Sequence, residues 1–345
     1  MAKTVCKYGT HRVIEPAGVL PQTAQKIDND MKIYPNEMLI DVISLNIDSA
    51  SFTQLKTEAE GDEKKIAEKI LSIVGERGKM QNPVTGSGGM LIGKIAQIGE
   101  DLSGRDIKVG DKIASLVSLS LTPLKINNIK AIHKDIDRVD VDAQAILFET
   151  GVYAKLPDDM SEALALAALD VAGAPAQTAK LVRPGDSVLI LGSGGKSGML
   201  CCNEAMKRVG PTGRVVAMCR REEHKKLLLE NKLCHEVILA DVTQPIEVME
   251  KALKANNGRE FDISFNVVNI PNSEMASILP VRDNGIVYFF SMAVSFTKAA
   301  LGAEGIGKDV LMIVGNGYTK DHAEITLAQL RENPKLREIF EQRYV

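Results

Sequence analysis

The sequence contains no apolar run approaching the roughly 20 residues that a membrane-crossing helix needs. Its first stretch, Met1 to Tyr8, lacks the apolar core of a signal peptide. It has no basic excess either. Its 42 Lys and Arg face 45 Asp and Glu, leaving a net charge of −3 and no electrostatic footprint for nucleic acid. The five cysteines are odd in number and show no framework spacing, which excludes a disulfide scaffold and suits a reducing compartment. No internal repeat and no low-complexity segment is present. These absences set the expectation of a cytoplasmic protein that engages neither nucleic acid nor membrane.

What is there fits an ordinary globular chain: 345 residues, 45% hydrophobic and 25% charged, a length for about two domains. The first third reads as β-rich, with strands at Met38 to Leu45, Leu91 to Ile98 and Lys112 to Val117. Between them Ile66, Ile70, Ile73 and Val74 recur at helical spacing inside the charged segment Glu63 to Arg77. From about Lys155 the pattern changes to short apolar runs separated by helix-length connections. The runs are Ser187 to Leu191, Arg214 to Met218, Val237 to Ala240, Ile263 to Val268, Gly285 to Ser291 and Asp309 to Gly315. Six buried strands so spaced predict an α/β architecture with a doubly wound parallel sheet of Rossmann type. A helical tail is expected from about His322 to Arg343.

The first of these six runs leads directly into Gly192-Ser193-Gly194-Gly195-Lys196-Ser197-Gly198. A strand, a glycine cluster and then a helix form the context of a dinucleotide-binding turn. Gly192 permits the tight turn, Gly194 and Gly195 admit the pyrophosphate, and Gly198 lets the helix pack closely on the strand. The spacing is G-x-G-G-x-x-G, one residue longer than the common form. At the end of the second strand, Arg220 and Arg221 stand where a carboxylate would select NAD, which favours NADP over NAD. The competing reading is a solvated pair balanced by Glu222 and Glu223. The nicotinamide end is expected near Val268, Asn269, Ser291, Met292 and Ala293, at the ends of later strands.

Asn82-Pro83-Val84, Val109-Gly110-Asp111-Lys112-Ile113 and Arg183-Pro184-Gly185-Asp186-Ser187-Val188, in this order, resemble the medium-chain dehydrogenase/reductase superfamily. That resemblance implies a GroES-like, β-rich catalytic domain at residues 1–156, completed by 317–345, and a Rossmann nucleotide-binding domain at 157–316. It also implies a homodimer, built by pairing Gly285 to Phe290 across a two-fold axis. Tyr8 to Val13, Phe290 to Ala293, Leu301 to Asp309 and Gly315 to Tyr318 narrow the match. They resemble the 3,5-diaminohexanoate dehydrogenase family of lysine fermentation. The resemblance implies a diamino acid substrate that loses its 3-amino group by oxidation.

Many superfamily members use zinc, and the positions of its ligands differ here. Asp48-Ser49-Ala50-Ser51 stands at the first cysteine, Gly86-Ser87-Gly88-Gly89-Met90 at the Gly-His-Glu segment, and Ala167 near the late cysteine. The histidines His11, His133, His224, His235 and His322 show no ligand spacing, so no metal site is expected. An amine needs a base more than a Lewis acid: once deprotonated, its nitrogen lone pair drives hydride away. Three carboxylates are candidates for that base, namely Asp48, Glu149 and Asp170. Ser51 and Ser87 are candidate substrate-orienting hydroxyls. Two other functions remain open: a zinc-free quinone or enone reductase, and a nucleotide-binding structural or sensor protein without turnover.

Overall fold

The apolar run Met38 to Leu45 lies inside an 11-residue strand, β3 (Glu37–Ile47), nearly all of it buried. Its side chains alternate between two cores, Met38, Ile40 and Val42 on one face and Leu39 on the other. A strand covered on both faces loses the apolar–polar alternation of a half-exposed one, which accounts for its unbroken hydrophobicity. The computed structural model describes residues 5–315 and 317–345, and for Ala50 its backbone only. Met1 to Thr4, the Asn316 of the Gly315 to Tyr318 segment and the expected boundary at residue 316 lie outside the described residues. The chain divides into two units, Met1–Asp158 and Asp159–Val345.

The first unit begins with a short ladder of β1 (Val13–Glu15) and β2 (Lys26–Ile27). After β3 come α1 (Ser49–Glu58), α2 (Glu63–Arg77), β4 (Gly89–Ile98), β5 (Lys112–Ser115), β6 (Leu124–His133), β7 (Arg138–Phe148) and β8 (Tyr153–Lys155). The main sheet is antiparallel, in the order β6-β7-β3-β4-β5-β8. Helix α2 occupies the span expected of it. Asp62 caps its start by accepting from the N–H groups of Lys64 and Lys65, and Gly78 ends it at φ 73°. Ile66, Ile70 and Val74 bury its apolar stripe in the larger core. The long hairpin of β6 and β7 escapes the sequence reading. Register shifts at Ile126/Asn128 and Ile129/Ala131 break the period of two that marks a strand.

Beneath β3 lies a buried ionic cluster. Glu37 accepts from Arg12 through both carboxylate oxygens, at 2.7 Å each, and pairs with His11 at 2.8 Å. The same guanidinium donates to the carbonyls of Asp30 at 2.7 Å and Lys32 at 2.8 Å. It thereby fixes a segment that has no ladder of its own. Burial opposes the charge on Glu37, but the hydrogen bonds from Arg12 and His11 outweigh it and hold its pKa below the ordinary glutamate value.

The second unit comprises α3 (Glu162–Leu169), α4 (Gly173–Leu181), β9 (Ser187–Leu191), α5 (Lys196–Val209), β10 (Arg214–Cys219), α6 (Glu222–Glu230) and β11 (Glu236–Leu239). It continues with α7 (Pro245–Ala255), β12 (Phe261–Asn266), α8 (Glu274–Ile278), β13 (Val281–Phe289), α9 (Phe296–Ile306), β14 (Leu311–Val314), α10 (His322–Glu332) and α11 (Pro334–Tyr344). All six strands are parallel, in the order β11-β10-β9-β12-β13-β14. This is the doubly wound arrangement expected, with its switch point between β9 and β12. Among the described residues no helix is long and apolar enough to cross a membrane.

The helical tail falls where expected, as two helices, because Asn333 closes α10 and its side chain accepts from Leu336 N–H to start α11, with Pro334 at the first turn. Two expectations meet a different structure. Residues 317–345 were expected with the N-terminal domain, yet α10 packs on α3, α4 and α5 of the second unit. Gly285 to Phe290 was expected to form a dimer edge. Strand β13 is instead hydrogen-bonded on both sides, by β12 and β14, so its backbone is already satisfied and the free edge belongs to β14.

Replacing Glu37 by Gln should remove about 3–5 kcal/mol, the usual cost of stranding one partner of a buried ion pair. A carboxylate whose folded pKa is depressed stabilises fully above its unfolded value and loses that contribution as pH falls through the folded value. The stability gap between wild type and Glu37→Gln, read by chemical denaturation, should therefore be full at pH 7 and shrink below about pH 4. A gap that does not change with pH would show that the charge is not what Arg12 needs.

Candidate active site

The turn after β9 is built from backbone-to-backbone contacts. Gly192 has φ 92°, and its N–H, like that of Ser193, donates to the Met218 carbonyl at the end of β10. A Cβ on Gly198 would lie 2.3 Å from the Gly192 carbonyl oxygen and 2.4 Å from the Ser193 Cα, so only glycine lets α5 approach β9 this closely. Ser193 is fully buried, and its hydroxyl donates to Ile190 O at 2.7 Å and accepts from Met218 N–H at 3.2 Å. It ties β9 to β10 and is spent inside the protein.

The candidate anion-binding face comes next. Gly195 is the N-cap of α5, a position with no side-chain cap, and a Cβ there would meet nothing nearer than 3.8 Å. The first N–H groups of a 14-residue helix thus lack a side-chain partner where a phosphate would take them. Lys196, in the first turn, pairs with Asp170 at 2.7 Å and lies 5.8 Å from the centre of the Tyr344 ring. Gly194 faces the imidazole of His224; a Cβ on it would come within 2.1 Å of Nδ1. His224 in turn contacts Arg343 at 3.3 Å. Burial together with Arg221 and Arg343 lowers the His224 pKa below the ordinary histidine value. Arg220 and Arg221 follow β10 and stay largely exposed, pairing with Asp241 at 3.7 Å and Glu223 at 2.8 Å.

The C-terminal ends of parallel strands share one side of the sheet, and the other cofactor candidates fall there. Val268 follows β12 and lies against Gly192, 2.9 Å from where a Cβ would be. Asn269 is exposed beside it. After β13, Ser291 is buried and accepts from Ala293 N–H at 3.1 Å, while Met292 is exposed. The residues of this unit therefore fit a dinucleotide: a bare helix start, close glycines, and cations on both sides of the turn.

The candidates of the first unit fall into two groups. Asp48 stands at the N-cap of α1 but makes no capping bond; it accepts from Gly88 N–H at 3.1 Å. Ser51, three residues on, lies 2.6 Å from both the Thr85 and the Ser87 hydroxyls. Asp48, Ser51 and Ser87 are thus brought together. Glu149 is not with them. It follows β7, accepts from Asn36 at 3.4 Å, and sits by the start of β3, whereas Asp48 follows its end. At about 3.4 Å per residue, the intervening strand separates the two by on the order of 35 Å. Asp170, in the second unit, is held by Lys196.

Sequence reasoning missed Thr85, His224, Arg343 and Tyr344. The first stands beside the quoted Ser87 and could have been found from its spacing; the tail residues reach the turn only through folding. Among the described residues, no three His, Cys, Asp or Glu side chains group closely enough to hold a metal ion. Four histidines are engaged elsewhere: His11 with Glu37, His133 with Asp140, His224 beneath Gly194, and His235 accepting from Val215 N–H.

An antiparallel β unit followed by a Rossmann unit, with a dinucleotide turn after the first parallel strand, defines a medium-chain dehydrogenase/reductase fold. A mycobacterial protein solved in complex with NADPH has a similar fold, with TM-score 0.52 and 14% identity, covering 94% of this chain and 87% of that one. The family model for the L-erythro-3,5-diaminohexanoate dehydrogenase N-terminal domain matches residues 11–157. An L-erythro-3,5-diaminohexanoate dehydrogenase of Acetoanaerobium sticklandii is 70% identical over 341 residues, 99% of either chain. One of Fusobacterium nucleatum is 64% identical over 344 residues, 99% of this chain and 100% of that relative. The chain belongs to the L-erythro-3,5-diaminohexanoate dehydrogenase family.

Replacing Gly194 by Val should abolish cofactor binding while the fold persists, since the added side chain displaces the half-buried His224 side chain rather than core backbone. The chain has no tryptophan, so titration of NADPH fluorescence is free of that background. Unchanged affinity in a variant with wild-type circular dichroism would show that the cofactor does not use this turn.

Proposed function

We propose that the chain catalyses the oxidative deamination of L-erythro-3,5-diaminohexanoate, giving 5-amino-3-oxohexanoate and ammonium, as a step of lysine fermentation. Full-length identity of 64–70% to relatives named for this dehydrogenase carries the reading. A nicotinamide held at the turn after β9 would supply the acceptor for the hydride that leaves C3. Everything else falls to side chains and water. The 3-ammonium must first lose a proton, because only the neutral amine has a lone pair to push hydride away. Asp48 is the base of this proposal. It stands at a zinc ligand's position, is exposed, and has been released from its capping role. Glu149 is far along the same sheet, and Asp170 is neutralised by Lys196 beside the phosphate turn. Loss of hydride leaves an iminium at C3, to which water adds before ammonia departs.

The preferred cofactor in this reading is NADP. Arg220 and Arg221 supply guanidiniums at the end of β10, where the adenosine 2′-phosphate is recognised, and their pairs with Asp241 and Glu223 are solvent-exposed and so weak competitors. The protein acts as a homodimer in the cytoplasm. The free edge of β14, with Leu311 and Val314 exposed, supports the former; a chain whose five cysteines are all free thiols supports the latter. A monomer by light scattering at micromolar concentration would remove the dimer from the proposal.

Replacing Asp48 by Asn should lower kcat by about 10²- to 10⁴-fold, the range for loss of a general base, with NADPH affinity unchanged. Turnover should survive exhaustive chelation. Normal turnover by Asp48→Asn, or loss of activity on chelation, would overturn this mechanism; oxidation of NADPH by quinones without turnover of the diamino acid would favour the reductase reading. Replacing Arg220 and Arg221 together by Ala should weaken NADP by roughly 1.5–3 kcal/mol and leave NAD where it was. An unmoved NADP-to-NAD ratio would make the two arginines surface charge alone.

A further inference from the structure

Three hydroxyls meet between the start of α1 and the loop before β4. Ser51 Oγ lies 2.6 Å from Thr85 Oγ1 and 2.6 Å from Ser87 Oγ, and the last two are 3.2 Å apart. Ser51 is fully buried, Ser87 half-buried and Thr85 exposed, so the triangle has one inner and two outer corners. The loop is held in place from within. Asn82 accepts from the N–H groups of Val84 and Thr85 and donates to Gln54 Oε1 at 2.8 Å. Gly88 lies so close to the Met80 carbonyl, 2.5 Å from a built Cβ, that no larger residue fits. The Gly88 N–H donates to Asp48, which brings the carboxylate beside the triangle.

The proton count gives this cluster a sign. Three hydroxyl protons close the three sides, and Ser87 N–H adds a fourth donor, to Thr85 Oγ1 at 3.3 Å. Six hydroxyl lone pairs are present. Four are used, leaving two acceptors and no proton to give. To bind a carboxylate or phosphate, the triangle would have to break one of its short bonds. To bind an ammonium it gives up nothing, and the nearby carboxylate adds attraction.

We infer that the Ser51–Thr85–Ser87 hydroxyl triangle is a seat for an ammonium group, and that it selects substrates carrying a second amine. This rests on the proposed reaction and deepens it. A hydroxyl cannot take the proton of an alkylammonium, whose ordinary pKa is about 10, so the triangle holds a charge without discharging it. It therefore suits the C5 ammonium, which survives the reaction, while Asp48 serves the C3 amine, which must be deprotonated. Thr85 spends both lone pairs, on a neighbouring hydroxyl and on Ser87 N–H, so the free acceptors lie on buried Ser51 and half-buried Ser87. The second amine becomes a handle for binding, and Ser87, at the outer corner with a free acceptor, becomes a specificity-determining residue.

The test is steady-state kinetics of the NADP-supplied enzyme on 3,5-diaminohexanoate and on 3-aminohexanoate, which lacks the second amine. Ser87→Ala removes the hydroxyl that holds the outer free acceptor; Ser87→Thr restores it. Ser87→Ala should raise KM for the diamino acid about tenfold or more, near the 1.5–3 kcal/mol of a hydrogen bond to a charged group. Ser87→Thr should return it. Kinetics on 3-aminohexanoate should not change. If that compound turns over too slowly, its inhibition constant should stay fixed instead. Equal losses on both compounds would assign the triangle to their shared carboxylate and overturn the proposal, as would no loss on either. Wild-type enzyme that turns over neither compound would fell the proposed reaction itself, and the seat with it.

Discussion

The approach of Gly198 to Gly192 is the constraint on which the nucleotide-binding unit depends. Helix α5 can lie against β9 only because Gly198 carries no Cβ, which would press on the Gly192 carbonyl oxygen. That contact aims the start of α5 at the switch point of the sheet, where the strand order runs outward in both directions. From it follow the bare N–H groups at Gly195, the inward commitment of Ser193, and the convergence of Val268 on the same turn. One backbone contact thus sets the geometry of the candidate anion site before any charged residue is considered. Lys196, Arg220 and Arg221 then add charge to a geometry already set.

In the first unit the comparable constraint is ionic. Arg12 and Glu37 are both removed from water, an arrangement that is costly unless each hydrogen-bonding position is matched. Here the guanidinium is shared between a carboxylate and the carbonyls around Asp30 and Lys32. The strand that carries Glu37 at its start carries Asp48 just beyond its end. The anchoring of one end of β3 and the placing of the carboxylate at the other are therefore properties of one element.

The parallel sheet was legible in the sequence because its strands are buried on both faces and bounded by helix-length connections. Each of the six runs became a strand with shifts of a few residues at its ends, and α2 announced itself through Ile66, Ile70 and Val74. The turn at Gly192 was legible because its glycines obey steric demands that no other residue meets. The antiparallel hairpin of β6 and β7 was hidden by its bulges. The triangle at Ser51 was half visible: Ser51 and Ser87 could be placed by position, and Thr85, two residues before Ser87, was within reach of the same reading but not drawn from it. His224 and Arg343 were out of reach, since they lie 119 residues apart and meet only through the packing of the tail helix. Local chemistry could be read from the chain, whereas long-range assembly required the fold.

The absence of a capping bond at Asp48 has a consequence for how this region evolves. An aspartate at a helix start ordinarily satisfies a backbone donor and contributes about 1 kcal/mol by doing so. Here that side chain turns to Gly88, and α1 begins without a side-chain cap. The helix is therefore less robust than its own sequence permits. Selection for thermal endurance alone would draw the carboxylate back onto α1, or replace it by a serine that caps without reaching outward. In the proposed reaction, selection for turnover would hold it away. On that reading the opening turn of α1 is a place where durability and chemistry pull one side chain in opposite directions.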